Sequence, residues 1–311
     1  MKGLELSERY FEEYGKKALF DAFPDVMTSS AVGLCGEGSE CLGYDDDISA
    51  DHDFEPGFCV FIPDDTDERT VFLLERAYSK LPQEFEGYRR SLVSPVGGNR
   101  HGIIRRGDFF EKFTGSRNGR LTLSDWARIP SHYLLSSTNG EVFYDGDGAF
   151  SNIRDGLRKM PDDAWKKRLS GHLLMAKQAG QYNFMRCVDH GEFGAAQLCA
   201  IKFVDHITSA IFLINRTYEP FYKWRFRAMR ALPILGDTAD IMEFLISSES
   251  DKRAAENKYG IIEDVSSMII DELQKLGVTD AVCGDLEKHA YSINDKIKDN
   301  NLRQSNILAA I

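Results

Sequence analysis

The sequence predicts an α/β domain, a small mixed sheet with flanking helices, over residues 1–150, followed by an all-helical bundle over 151–311. Three observations predict it. In the first half, apolar runs short enough for strands (30–35, 58–62, 101–105 and 141–145) alternate with helical patterns, the rhythm of an α/β layer. From about residue 160 helical spacing continues with few breaks. A chain of 311 residues, 42% hydrophobic and 28% charged, is also long enough to bury two cores.

Leu6, Tyr10, Phe11, Tyr14, Ala18 and Leu19 recur near helical spacing, so residues 4–21 read as a helix, with Pro24 beyond its end. The buried strand 30–35 then runs into Gly36-Glu37-Gly38-Ser39. Bare backbone at that turn lets N–H groups approach an anion closely. A spacer of eleven residues separates Ser39 from Asp51-His52-Asp53. On a strand, residues two apart point to one side, so Asp51 and Asp53 face one spot while His52 turns away. Two carboxylates on one face suit Mg²⁺, which keeps waters and shares itself with phosphates. The run Asp45-Asp46-Asp47 reads as solvated. An EF-hand is excluded: registers from Asp47 or Asp45 put His52 or Ala50 where glycine is needed, and Phe58 or Pro56 where the bidentate glutamate belongs.

Gly38-Ser39, the spacer and Asp51-x-Asp53 resemble the signature of the DNA polymerase beta-like nucleotidyltransferase superfamily. The longer string from Gly38 to Asp53, and a second match at Asn215-Arg216-Thr217-Tyr218-Glu219-Pro220-Phe221-Tyr222-Lys223-Trp224, resemble a bacterial branch near the aminoglycoside and lincosamide nucleotidyltransferases. The resemblance covers residues 30–235. It implies transfer of a nucleoside monophosphate from a triphosphate to a small-molecule acceptor. Gly38 and Ser39 would hold the triphosphate, and Asp51 and Asp53 the Mg²⁺. The acceptor pocket is expected between the α/β domain and the helices. The superfamily often has a third carboxylate on a strand near 101–105, where this chain has Gly-Ile-Ile and no acid before Asp108. That departure motivates a rival, a nucleotide-binding regulatory protein without turnover; a protein-modifying adenylyltransferase is a further alternative.

Asp108 is expected to cap a helix starting at Phe109, after an earlier helix over 67–80 that turns Val71, Leu73, Leu74 and Ala77 inward. Two short helices over 123–137 and an Asn139-Gly140 turn lead into strand 141–145, where Asp145 reads as a turn residue bonded to nearby backbone. Residues 162–179 form a helix ending at Gly180. A long helix over 192–214 buries Ile201, Val204, Ile207, Ile211 and Ile214. Asp205 on it, or Glu192 at its start, could accept a proton from an acceptor hydroxyl. His206 reads as an ordinary satisfied or exposed histidine. A helix from Phe221 puts Lys223 and Arg227 on one face, where Lys223 would meet the triphosphate with help from the helix dipole. Three more helices (238–247, 252–276 and 280–299) close the bundle or pair two chains.

A net charge of −11 argues against long nucleic-acid partners, which need clustered cations. No signal peptide is visible, and the apolar run at 210–214 is far too short to span a bilayer. Six cysteines without a Cys-x-x-Cys pair read as buried thiols in a reducing cytoplasm, with no zinc site or disulfide scaffold.

Overall fold

A computed structural model describes residues 1–46, 55–90, 100–249 and 252–311. It divides into two compact units, residues 1–121 with 133–159, and residues 122–132 with 160–311. The first is a small mixed sheet with flanking helices and the second is helical, the fold class expected from the sequence.

The first unit opens with α1 (Gly3–Tyr10), which continues through a π turn into α2 (Lys16–Phe20). Then come β1 (Ala31–Leu34), β2 (Cys59–Ile62), α3 (Glu68–Ser79), β3 (Gly102–Arg105) and α4 (Arg106–Thr114). The chain gives α5 (Leu123–Arg128) to the second unit and returns with β4 (Glu141–Asp145) and α6 (Ala149–Leu157). Strand order is β3-β2-β1-β4. β1 is antiparallel to both neighbours, pairing Val32 with Val60 and with Tyr144, and β2 is parallel to β3.

Alternation along β2 builds a core on each face of the sheet. Val60 and Ile62 join Leu6, Tyr10, Phe11 and Leu74. Phe61 stacks on Phe150 at 4.1 Å and meets Phe109 edge-on at 4.9 Å. Gly33 sits where the β1–β4 register shifts, and a side chain there would collide with the Glu141 carbonyl. In α3, Leu74 is buried but Leu73 is exposed, so the inward face is narrower than its apolar residues suggest.

The second unit contains α7 (Asp162–Ala176), α8 (Phe193–Ile214), α9 (Arg225–Met229), α10 (Ala239–Ser247), α11 (Lys252–Lys275), α12 (Leu286–Asp295) and α13 (Asn300–Gln304). Helix α7 does not stop at Gly180. It runs on through a π-helical stretch, Lys177–Phe184, to Asp189. Gly180 is buried there, and a side chain would strike Phe203. The glycine therefore serves close approach of α8 rather than helix termination. Gly277 does follow α11 with positive φ, as a C-terminal glycine should.

α8 is long and apolar enough to cross a membrane, contrary to the short run seen in the sequence, but 61% of its apolar window is buried inside the protein. Phe203, Val204, Ile207 and Ile211 are in the core; Ile201, expected there, is 44% exposed. Cys35, Cys41 and Cys59 are buried, whereas Cys283 is exposed.

Candidate functional site

At the end of β1 the backbone turns through Gly36 (φ 110°) and Gly38 (φ 128°), both in a region that favours glycine. Asn139 clamps the turn. Its Oδ1 accepts from the Gly36 N–H at 3.0 Å, and its Nδ2 donates to the Gly36 carbonyl at 2.8 Å. A side chain at Gly38 would overlap Arg100 and Glu40. Ser39 leads into a single 3₁₀ turn, Glu40–Leu42, and its hydroxyl makes no hydrogen bond among the described residues. Asn139-Gly140 carries only the local signal of a chain reversal, and nothing local joins residues 36 and 139.

A cavity of about 240 Å³ opens beside the turn, lined by Cys35, Gly36, Glu37, Arg100, Asp108 and Lys112 among others. Lys112 Nζ lies 2.7 Å from Glu37 Oε2, and each side chain is 55% exposed. Arg100 donates to the Glu37 carbonyl at 2.8 Å and pairs with Glu40. Burial pushes the Cys35 thiol up to about 11 and the Cys59 thiol higher still, so neither supplies a thiolate.

Asp51 and Asp53, the expected metal ligands, lie outside the described residues, on the chain between the 3₁₀ turn and β2. Asp45 is not solvated: it is 4% exposed, and its Oδ2 accepts from the Gly3 N–H at 2.8 Å at the start of α1. Asp108 is not a cap either. α4 starts two residues earlier, and Asp64 accepts from the Gly107 N–H at 2.7 Å, leaving Asp108 to pair with Arg117. Asp145 accepts from the Ser151 N–H at 2.8 Å. It pairs with Ala31, at the end of β1 remote from the glycine turn.

The remaining expected residues lie in the helical unit. Glu192 is the exposed N-cap of α8, and Asp205 is thirteen residues farther on, so about 20 Å of helix separates them. Asp205 is ion-paired with Arg225. Lys223 is exposed in a 3₁₀ turn, Tyr222–Trp224, with Nζ 5.0 Å from the Trp224 ring. The helix expected from Phe221 is replaced by that turn and the five-residue α9, so little helix dipole backs Lys223.

This unit has its own cavity, about 460 Å³, walled by α7, α8 and the chain around Pro220. Glu219 is buried, accepts from the Ser209 hydroxyl at 2.6 Å and pairs with Arg225, which thus bridges Glu219 and Asp205. Burial holds the Glu219 carboxyl above its usual range, although Arg225 and the serine oppose that. His206 is neither exposed nor isolated: its Nδ1 is 3.1 Å from Nδ1 of His172. Burial depresses both imidazoles, with Arg225 acting the same way on each, so the pair is neutral and shares one hydrogen bond.

A family model described as a domain of unknown function, DUF4037, matches residues 126–225, about a third of the chain. Fourteen of the seventeen residues lining the larger cavity fall in that segment. No curated protein matches. Among solved structures, a nucleotidyltransferase-like protein from Exiguobacterium sibiricum 255-15 is similar at 11% identity, covering 93% of this chain and 89% of that one, with a TM-score of 0.38.

Proposed function

We propose that the chain is a metal-dependent nucleotidyltransferase that moves a nucleoside monophosphate from a nucleoside triphosphate to a small-molecule acceptor. The observation that carries this reading is the clamped turn at Gly36–Ser39. It leaves a buried strand with two left-handed glycines and a serine hydroxyl without a hydrogen bond among the described residues, and the Asp51-x-Asp53 segment follows before the antiparallel β2. Gly38 backbone and Ser39 hold the triphosphate, and Lys112 can exchange its half-exposed Glu37 partner for a phosphate.

Asp51 and Asp53 would hold Mg²⁺. Their hard oxygen donors suit that ion, while the carboxylates nearest the turn, Glu37 and Glu40, are already paired with cations. Bound there, the ion supplies positive charge to the phosphates and polarises the one transferred. Lys223 is the candidate for further phosphate neutralisation, and Asp205 and Glu192 for receiving the acceptor's proton. Of those two Glu192 has no ion pair among the described residues, whereas Asp205 must first release Arg225. The compartment this chemistry implies is the cytoplasm.

One observation favours the second reading, a nucleotide-binding protein without turnover: β3 is Gly102-Ile103-Ile104-Arg105 and brings no carboxylate to the sheet. Incubating the protein with each labelled triphosphate, Mg²⁺ and a metabolite extract separates the two. The transferase reading expects pyrophosphate release that Asp51→Asn or Asp53→Asn each abolishes, with thermal stability unchanged or slightly raised as like charges are relieved. Full activity in either variant overturns the site; binding with no release under any nucleotide selects the second reading, and label on protein selects a protein acceptor.

A further inference from the structure

On the wall of the larger cavity one buried cation makes no ion pair among the described residues. Arg168 on α7 is 6% exposed and lines the 460 Å³ cavity. Its Nη1 is occupied: it donates to the carbonyls of Trp126 at 3.2 Å and Ile129 at 2.6 Å, where α5 ends. Its Nε is buried with no hydrogen-bond partner, and its Nη2 makes no hydrogen bond among the described residues. With Nε sealed from solvent, Nη2 is the guanidinium nitrogen left to donate to an oxygen of a carboxylate or phosphate. A buried donor is rarely left unmatched without a reason.

The cavity's other charges do not fill that need. Glu219 and Asp205 make their ion pairs with Arg225, and Glu219 acts on Arg168 only from beyond ion-pair distance. The two half-buried histidines, both held below the usual imidazole range, are neutral. Arg128, on the exposed rim, makes no ion pair among the described residues. Two unneutralised guanidiniums thus share a pocket with one neutralised set. Beside them Phe221 and Tyr222 line the same cavity, 49% and 69% exposed, with His132 edge-on to Phe221 at 5.6 Å. Aromatic faces so exposed beside a buried guanidinium suit a ligand with one flat apolar part and one anionic end.

We propose that this cavity is a binding site for a small aromatic oxyanion, a carboxylate or phosphate monoester, held by Arg168 through Nη2 and assisted at the rim by Arg128, with its ring against Phe221 and Tyr222. The site is independent of the glycine turn and needs neither nucleotide nor Mg²⁺.

The test is calorimetric titration of the full chain, without nucleotide or metal, with benzoate, phenyl phosphate, benzyl alcohol and benzylamine. The proposal expects benzoate or phenyl phosphate to bind with a dissociation constant below about 1 mM and the neutral and cationic analogues to bind at least ~10-fold more weakly. Whichever anion binds more tightly names the head group. Arg168→Lys keeps a charge that can hold one carbonyl but loses the second guanidinium nitrogen that faces the cavity, and should weaken the anion ~10-fold or more; Arg128→Ala, on the surface, should weaken it less. Equal binding of benzyl alcohol, preference for benzylamine, no anion binding, or no loss in either variant overturns the proposal. If Arg168→Lys does not fold, 4-bromobenzoate soaked into wild-type crystals decides: bromine anomalous density in the cavity supports the site, and its absence there overturns it. Failure would leave the Asp51 and Asp53 assignment untouched.

Discussion

At the glycine turn Lys112 and Glu37 meet with more than half of each side chain in solvent, whereas in the helical unit Glu219, Arg225 and Arg168 carry the same kinds of charge largely out of water. The difference is one of exchangeability. An exposed pair gains little and costs little to open, so a phosphate can replace one partner. A buried pair has lost its hydration and survives because both members are present. On the proposed function the turn trades ion partners with a ligand, whereas the cavity of the helical unit holds its paired charges fixed around a space.

The sharpest way to break that contrast is Glu219→Ala. Removing the carboxylate leaves Arg225 with Asp205 alone and the Ser209 hydroxyl with only the Asp205 carbonyl. A loss of about 3 kcal/mol is expected, the scale for deleting one partner of a buried pair. All three tryptophans, Trp126, Trp165 and Trp224, belong to the helical unit, so urea melts followed by tryptophan fluorescence read that unit. A loss under about 1 kcal/mol would put this pair on the same footing as a surface one.

Next in size is a pH effect confined to the same unit. His172 is depressed well below 6.5 by burial, then by His206, Arg168 and Arg225; His206 is depressed by burial, with Arg225 and Lys202 assisting and Asp205 opposing. Below about pH 6.5 the unfolded chain takes up protons that the folded unit refuses. Stability is thus fully present above that pH and lost as pH falls, with a slope approaching about 1.4 kcal/mol per pH unit for each imidazole. Glu219 acts with the opposite sign, since its folded carboxyl is raised and favours the folded state on protonation. Fluorescence melts from pH 7.5 to 5.5 on wild type and His172→Gln separate the two, because Glu219 is common to both. A wild-type slope no steeper than the variant's would mean that the histidine pair is solvated.

The parts of the molecule legible in the sequence were those with local signals. A short continuous apolar run marked β2, helical spacing marked the start and the tail, and the glycine doublet marked the turn. What escaped depended on partners distant in the chain. Asp45 reads as one more acid in a run until α1 supplies the N–H it accepts. Gly180 reads as a helix stop until Phe203 occupies the space of its missing side chain. Arg168 drew no notice, since its carbonyl partners on α5 are about forty residues earlier in the chain. At the turn, the Gly38 and Ser39 pattern was readable and the Asn139 clamp was not.

The smallest expected effect is the one that best tests exchangeability. Lys112→Ala removes a half-exposed cation whose ammonium faces Glu37 and lies 5.1 Å from the Phe113 ring. Thermal stability should change by no more than about 0.5 kcal/mol, because solvent already screens the pair. Affinity for a fluorescent nucleoside triphosphate should nonetheless fall ~3- to 10-fold, since one charge-assisted contact to phosphate is lost, and the deficit should shrink as salt rises and screens that contact. Glu37→Gln sharpens the point from the other side: it frees Lys112 in advance and should tighten triphosphate binding. A variant at Lys112 that loses stability but not affinity would make the pair a structural bridge, and the turn would then resemble the cavity of the helical unit in holding its charges for itself.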